Sequence, residues 1–353
     1  MNSKNSSNER IKREYFDYLR HADGKSEQTI NQIARSLMRF EDFNRRRSFK
    51  TFDQAIAVKF KDQLAQSGLA PATILSALND LKRFLGWLAL RPGFKRAIRR
   101  NDIEYLNLPQ KAVRAANARV DKSYPTLQMV ETVVAGMASN TPIEKRDRAL
   151  IAFTAITGIR DGAIITLKLK HFDEARKLVL QNPSEVATKA SKRIDIFLFP
   201  LSGKLEAIFL EWVSYLRNEK LFGMDDPLFP KTMLAHDRNR QLMPADISRS
   251  HWANASPMRA IFKAAFEKAG LPKFTPHRFR DMIVSEMYRR QLTVAECKAW
   301  SQNLGHEGAM TTLTSYGKLG LDEQGALIRQ SSKQEKDILT RTELMKILEA
   351  KGV

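Results

Sequence analysis

The sequence predicts a mainly α-helical fold that carries one small antiparallel β-sheet and is divided into two domains. A length of 353 residues is enough for two domains of ordinary size. Over the first third, apolar residues recur every three or four positions, which is the spacing of one face of an α-helix. Between residues 178 and 198 the period changes to two, the period of a β-strand.

Four helices are predicted in the N-terminal third. The first covers Arg10–His21, and the second follows a capping serine, Ser26. The third covers about Asp53–Gln66. The fourth begins at Pro71, because proline is favoured in the first turn of a helix, and its leucines and isoleucine recur at intervals of four and three through Leu88. These apolar faces predict the core of a small helical bundle.

A basic segment follows this bundle. Residues 91–122 contain nine Lys or Arg residues and three acids. Within it, residues 110–122 are rich in alanine and lack an apolar stripe, which is typical of an interdomain linker. The linker either lies along a phosphate backbone or is a solvated connector, and the sequence favours the two interpretations about equally.

Helices and one β-sheet are predicted for the rest of the chain. A capping box of Thr141 and Glu144 opens a helix that ends at Arg160. The following helix is expected to continue to about His171, which we interpret as a helix-terminal side chain. Strands at 178–180 and 194–198 then pair across a polar turn. Further helices are expected at 126–137, 203–218, 255–269, from 275 onward, and at 294–303, 311–316 and 332–351.

The charge balance favours a nucleic acid as partner. The chain has 59 Lys and Arg against 39 Asp and Glu, a net charge of +20, and such a surplus attracts polyanions through its field and through counterion release. An acidic lipid surface is disfavoured because no strongly amphipathic basic helix stands apart from the fold. No apolar run approaches the ~18 residues of a membrane span, and residues 1–9 lack the apolar segment of a secretory signal. We expect a cytoplasmic, nucleoid-associated protein that makes no membrane contact.

No metal or other cofactor is expected. The single cysteine, Cys297, excludes an internal disulfide and a multi-thiolate zinc site, and a buried structural thiol is expected there. A zinc site formed by His277, Cys297 and His306 is disfavoured, because the spacings fit no common site and no fourth ligand is evident. The sequence also lacks a Gly-x-x-x-x-Gly-Lys-Ser/Thr loop and a carboxylate cluster for two magnesium ions.

Six residues distributed over more than 150 positions form the candidate site. Arginine side chains match the geometry of a phosphate and keep their charge. A lysine on a turn can donate a proton, and a phenol can form a stable ester with phosphate. The set therefore suits metal-free cleavage of a phosphodiester, with Lys192 as an alternative to the turn lysine. The six residues are Arg160, Lys189, His277, Arg280, His306 and Tyr316.

These residues lie in motifs that resemble those of the tyrosine recombinase (phage integrase) family in order and spacing. The motifs are Thr157-Gly158-Ile159-Arg160, the turn lysine, His277-Arg278-Phe279-Arg280, Leu304-Gly305-His306 and Tyr316. Segments 26–40 and 68–88 resemble the core-binding domain of the same family, so that the resemblance covers about residues 10–325. It implies a SAM-like helical DNA-clamp domain followed by an α+β catalytic domain.

The resemblance implies a role for each site residue. Arg160 and Arg280 would clamp the scissile phosphate, and Lys189 would be the general acid for the 5′ hydroxyl. His277 would assist proton transfer, His306 would hydrogen-bond the phosphate, and Tyr316 would attack to form a 3′-phosphotyrosyl link. The chain departs from the family at Ala163, where an acidic residue is usual, with Asp161 nearby. Because that acid supports the site and does not react, we expect tuned activity.

The implied function is site-specific recombination or integration of double-stranded DNA, typical of a mobile genetic element, without metal or ATP. Four strand exchanges imply a tetramer on DNA, and an accessory DNA-bending protein is a further candidate partner. The expected domains are 1–109 (core-binding), 110–122 (linker), 123–331 (catalytic) and 332–353 (a helix that could pack on a neighbouring protomer). Two alternatives stay open: a non-catalytic DNA-binding protein of the same fold, and a type IB topoisomerase.

Overall fold

The computed structural model of the protein describes residues 5–117, 123–188, 192–236, 239–290 and 292–305. Contacts divide the chain between residues 120 and 121, and we call the two parts the N-terminal unit and the C-terminal unit. Three of the six candidate residues lie outside the described residues. They are Lys189, His306 and Tyr316.

The N-terminal unit is helical, and its first four α-helices agree closely with those predicted. Ser26 caps the second helix by accepting a hydrogen bond from the Thr29 backbone N–H, and Pro71 opens the fourth. The elements are α1 (Ser6–His21), α2 (Glu27–Phe43), a 3₁₀ turn (Phe49–Thr51), α3 (Gln54–Gln66), α4 (Pro71–Ala89), α5 (Arg100–Glu104) and α6 (Gln110–Asn117).

Aromatic rings form much of the core of the N-terminal unit. The ring of Phe40 on α2 meets that of Phe60 on α3 edge-on, with centroids 5.2 Å apart. Phe49 meets Phe84 on α4 in the same way at 4.8 Å. The apolar face predicted for α4 packs against these rings, which confirms the helical bundle. Its fully buried leucines are Leu78, Leu81, Leu85 and Leu88.

The first part of the expected linker is helical. Residues 110–117 form α6, which packs on α4 and buries Ala116. Alanine has the highest helix propensity, so an alanine-rich segment forms a helix readily once one of its residues is buried against a neighbour. The domain boundaries themselves remain predictions.

The C-terminal unit is built around the helix α8 (Pro142–Thr157). This helix is buried almost completely from Ala149 to Thr157 and packs on α7 (Leu127–Ala135), α10 (Gly203–Asn218) and α12 (Arg278–Arg289). The capping box of Thr141 and Glu144 that opens it is confirmed. In the part of the chain that the structure describes, no helix is both long enough and apolar enough to cross a membrane. The elements are α7 (Leu127–Ala135), α8 (Pro142–Thr157), α9 (Asp161–Ile164), a 3₁₀ turn (Leu169–His171), α10 (Gly203–Asn218), α11 (Ser256–Lys268), α12 (Arg278–Arg289) and α13 (Val294–Asn303).

In the described part of the C-terminal unit, two small antiparallel sheets accompany the helices and confirm the predicted fold class. The first has the order β1 (Phe172–Asp173), β2 (Leu178–Val179) and β3 (Ile196–Phe197). The second pairs β4 (Thr232–His236) with β5 (Leu242–Ile247) through a bulge. The sequence did not predict the second sheet, because its strands are mostly exposed and contain a proline, Pro244.

The helix predicted to continue from Arg160 to about His171 is wrong in length. α9 ends at Ile164, and the segment that follows pairs with a distant part of the chain. The Leu228 N–H donates to the Leu167 carbonyl at 2.9 Å, and the Leu169 N–H donates to the Asp226 carbonyl at 3.0 Å. Local periodicity carries no information about such pairing. His171 ends a 3₁₀ turn in this segment and is buried.

Candidate functional site

The structure describes Arg160, His277 and Arg280 among the six candidate residues, all within the C-terminal unit. It also describes residues that flank Lys189 in the chain, through Thr188 on one side and from Lys192 on the other, and the turn before His306. The geometry of the site can therefore be built from these positions.

Gly158 forms the turn that positions Arg160. Its backbone is left-handed, with φ of 61°, a conformation that disfavours any residue with a Cβ. A Cβ at this position would lie 2.8 Å from Ile283 Cδ1 and 3.0 Å from Leu304 Cδ2. Glycine is therefore required both by the backbone and by the close approach of α12 and of the turn after α13.

Arg280 is a buried guanidinium that joins separate motifs. The residue is 1% exposed. Its Nη1 donates to the Gly158 carbonyl at 2.7 Å, and its Nη2 donates to the Leu304 carbonyl at 2.5 Å. Burying a charge is costly unless it is hydrogen-bonded, and these carbonyls supply that compensation. One side chain thus holds together the turn before Arg160 and the turn before His306.

Arg160 lies next to this buried arginine. It is the N-cap residue of α9 and is partly accessible. Arg160, Arg280, Gln181 and Thr188 are among the residues that line one small cleft. Two arginines beside one cleft suit a bound phosphate, because a guanidinium offers a planar set of donors and a permanent charge.

His277 comes directly before α12. A helix was expected from residue 275 onward, but it begins at Arg278, after a turn in which the Arg278 N–H donates to the Thr275 carbonyl at 2.9 Å. Partial desolvation of the ring lowers the pKa of His277, and the guanidiniums of Arg278, Arg280 and Arg160 lower it further. A neutral imidazole is therefore favoured at neutral pH.

The loop that contains Lys189 and Lys192 is closed at its base. Buried Gln181 donates from its side-chain amide to the Ile194 carbonyl at 2.7 Å, and the Ile194 N–H donates to the Gln181 carbonyl at 3.3 Å. Both candidate lysines belong to the loop that these contacts close. Sequence reasoning did not select Gln181, since an isolated glutamine beside a short strand carries no distinctive signal.

Asn303 and Gly305 fix the turn before His306. The Asn303 side chain accepts from the Phe197 N–H at 2.8 Å and donates to the Phe197 carbonyl at 2.9 Å, so that it extends the edge of β3. Gly305 is left-handed, with φ of 69°, and a Cβ there would lie 3.0 Å from Ile194 Cγ2. The sequence indicated only Leu304-Gly305-His306, and the preceding asparagine was missed.

Two family models match this chain. Residues 126–319 match the model described as "Phage integrase family", and residues 13–92 match "Phage integrase, N-terminal SAM-like domain". The first match alone covers more than half of the 353 residues. The chain belongs to the phage integrase family. The resemblance inferred from the sequence is thereby confirmed.

The relatives of this phage integrase family member include two proteins named tyrosine recombinase XerC. The protein of Roseiflexus sp. (strain RS-1) is 22% identical over 305 residues, which cover 84% of this chain and 86% of the relative. The protein of Roseiflexus castenholzii (strain DSM 13941 / HLO8) is 23% identical over 307 residues, which cover 84% and 85%.

Two solved structures share the fold. The Tn1549 transposon integrase, in complex with circular intermediate DNA, has a TM-score of 0.58 at 16% identity and covers 90% of this chain and 98% of that chain. A lambda integrase dimer bound to a COC' core site has a TM-score of 0.58 at 14% identity and covers 89% of this chain and 99% of that chain.

The position where this phage integrase lacks the usual acidic residue is packed with an apolar side chain. Ala163 is 2% exposed and lines the same cleft as the two arginines. The nearest acid in the chain, Asp161, instead binds Arg259 on α11, with 2.6 Å between Oδ2 and Nη2. Within the described ranges, no three His, Cys, Asp or Glu side chains are grouped so that they could hold a metal ion.

Proposed function

We propose that the protein is a site-specific tyrosine recombinase that cuts and rejoins double-stranded DNA through a 3′-phosphotyrosyl intermediate at Tyr316. The contacts of Arg280 are the observation that carries this proposal. Its hydrogen bonds to the carbonyls of Gly158 and Leu304 bring together three motifs that lie far apart in the sequence. Membership in the phage integrase family supports the same reaction.

The two arginines would bind the scissile phosphate. Arg160 and Arg280 line one cleft, and a guanidinium aimed at the developing charge of a transition state typically contributes a factor of about 100 to 1,000 in rate. His306 would add a hydrogen bond to the same phosphate. It follows directly in the chain after Gly305, which lies close to the side chain of Ile194.

The proposed chemical step exchanges one phosphate ester for another. The Tyr316 oxygen forms a bond to phosphorus, and the bond from phosphorus to the 5′ oxygen breaks. Lys189 gives its proton to that oxygen, and neutral His277 would assist proton transfer by accepting the proton of the phenol, a role that its lowered pKa supports. The phosphotyrosyl ester retains the energy of the broken linkage, so rejoining requires neither metal nor ATP.

Double-stranded DNA is the proposed substrate and partner. The net charge of +20 supports binding to a polyanion, and both the Tn1549 integrase and the lambda integrase were solved on DNA. We propose a tetramer on two duplexes, since a full recombination exchanges four strands, and an accessory DNA-bending protein as a further partner. The C-terminal helix expected at 332–353 is the proposed contact between protomers.

Covalent trapping tests this function and identifies the DNA site in the same experiment. Wild-type protein and the Tyr316→Phe variant are incubated with fragmented genomic DNA, denatured, and recovered by their affinity tag; DNA that remains attached is sequenced. The wild type should retain fragments that share one short sequence, and the variant should retain none. A variant that binds the same DNA and leaves activity unchanged would support a non-catalytic DNA-binding protein. Relaxation of supercoils at no particular site would support a topoisomerase.

A further inference from the structure

His171 lies in a polar cluster that the proposed chemistry does not use. Only 4% of the residue is exposed. Its Nδ1 accepts a hydrogen bond from the Lys168 N–H at 3.0 Å, and its Nε2 lies 2.9 Å from Glu185 Oε2. Because a backbone N–H can only donate, Nδ1 is the acceptor, and the ring proton is therefore on Nε2 and is donated to Glu185.

Glu185 is held by a second donor as well. The Lys170 ammonium lies 2.7 Å from Glu185 Oε1 and also binds Asp225 at 3.0 Å. The hydrogen bonds from His171 and Lys170 lower the pKa of Glu185 to about 2. The carboxylate is thus ionised at every pH at which the protein would act, and it can accept hydrogen bonds from both donors.

The two residues after Glu185 are anchored at different places. Val186 is 1% exposed and belongs to the core of the C-terminal unit. The Ala187 N–H donates to Thr166 Oγ1 at 3.0 Å, and that hydroxyl donates to the Ala163 carbonyl at 2.9 Å. Ala163 is part of α9, the helix that Arg160 caps. Residues 185–187 are therefore tied to the 3₁₀ turn, to the core and to the helix that follows Arg160.

We propose that His171 and Glu185 are positioning residues for the proton donor of the reaction. Lys189 follows this anchored segment after one more residue, Thr188. Anchoring residues 185–187 reduces the conformations open to the residues that follow, and a displacement of about 1 Å in a reacting group can cost about 100-fold in rate. The inference rests on the proposed function, since it requires Lys189 to protonate the 5′ oxygen.

Two variants remove the contact in different ways. Glu185→Ala deletes the carboxylate at an exposed position. In His171→Asn, the amide oxygen can still accept from the Lys168 N–H, but the shorter side chain does not reach Glu185. Because both break one interaction, the double variant should be no slower than the slower single variant. Glu174→Ala is the matched control, since it removes a carboxylate of the same sheet region that binds Arg217 at 2.6 Å.

The discriminating measurement compares two leaving groups. The trapped DNA site is synthesised with either oxygen or sulfur at the 5′ bridging position, and cleavage is followed in a single turnover. A thiolate leaves without protonation, because a thiol has a pKa of about 8.5, far below that of an alcohol. We expect Glu185→Ala and His171→Asn to cleave the oxygen substrate roughly 10-fold more slowly than wild type and the sulfur substrate at about the wild-type rate. Glu174→Ala should match wild type on both.

Equal slowing on both substrates would indicate a merely structural role and overturn the inference, as would unchanged cleavage of the oxygen substrate. Lys189→Ala separates this failure from failure of the proposed function. If the sulfur substrate restores the cleavage rate of Lys189→Ala but not that of Glu185→Ala, only the positioning role of Glu185 is wrong. If the sulfur substrate does not restore the cleavage rate of Lys189→Ala, or restores that of Lys192→Ala instead, Lys189 is not the proton donor. The inference is then wrong as well.

Discussion

The two units of this protein differ in what determines their structure. The N-terminal unit is organised by rings and leucines that repeat along single helices, such as Phe40, Phe84 and the apolar face of α4. The candidate site of the C-terminal unit is organised by polar contacts between distant turns, with Arg280 at the centre. An apolar core can therefore be inferred from local periodicity, whereas this site depends on a few specific hydrogen bonds across the fold.

The role of the apolar core in the N-terminal unit can be tested at Phe40. This ring is completely buried against Phe60 and Phe52. Because a large cavity would remain, Phe40→Ala should lower the free energy of unfolding by about 3–5 kcal/mol. Hydrogen exchange followed by mass spectrometry should show faster exchange in residues 5–117 and unchanged exchange in 123–188. Faster exchange throughout both units would contradict the view that each unit has its own core.

The role of the polar contacts at the candidate site can be tested at Arg280. Arg280→Lys keeps the charge but cannot donate to the Gly158 and Leu304 carbonyls together, since an ammonium lacks the planar fork of a guanidinium. The free energy of unfolding should fall by about 2–3 kcal/mol, and adduct formation should fall about 100- to 1,000-fold. Arg289→Lys, at an exposed position of the same helix, should change stability by less than about 0.5 kcal/mol. Adduct formation by Arg280→Lys at near the wild-type rate would refute the role of the fork.

A substitution at Gly158 tests whether steric crowding at the site adds to the cost of backbone strain. Gly158→Ala combines a left-handed conformation with contacts to Ile283 and Leu304 that are too close, and we expect it to cost about 2–3 kcal/mol. Gly270→Ala is the control, because Gly270 is also left-handed, with φ of 68°, but a Cβ there would have nothing within 4 Å. It should cost only about 1 kcal/mol. Equal losses in chemical denaturation would show that close packing at Gly158 is unimportant.

The smallest expected effect concerns His277. Since the folded protein lowers the pKa of this imidazole, the unfolded chain binds the proton more readily below about pH 6.5, and the folded state loses stability as the pH falls. His277→Gln should remove this contribution, because glutamine does not titrate in this pH range. Urea denaturation at pH 8.0 and pH 5.5 measures it. A larger loss of stability on acidification in the variant would reverse the predicted sign.

The parts of the fold that could be predicted from the sequence are those that local patterns determine. The capping residues Ser26 and Thr141, the proline that opens α4 and the leucine spacing of that helix act within a few residues, and their predictions were confirmed. The helix α9 is shorter than predicted because the residues after it pair with the segment around Leu228. Such long-range pairing leaves no local pattern in the sequence.

The site shows the same division. The motif residues Arg160, His277 and Arg280 could be selected by type and order, and they lie near one another in the structure. The residues that support them could not be selected from the sequence. Asn303 extends a strand and His171 binds a carboxylate across a loop, and neither task requires a recognisable sequence pattern.

The most direct test of the central claim is to identify the residue that becomes joined to DNA. Adduct formed by the wild-type protein is treated with nuclease and trypsin, and the nucleotide-bearing peptide is sequenced by mass spectrometry. We predict the label on Tyr316, in the tryptic peptide of residues 299–318, which contains no other tyrosine among the 7 in the chain. A label on any other residue, or an adduct that persists in Tyr316→Phe, would contradict the account.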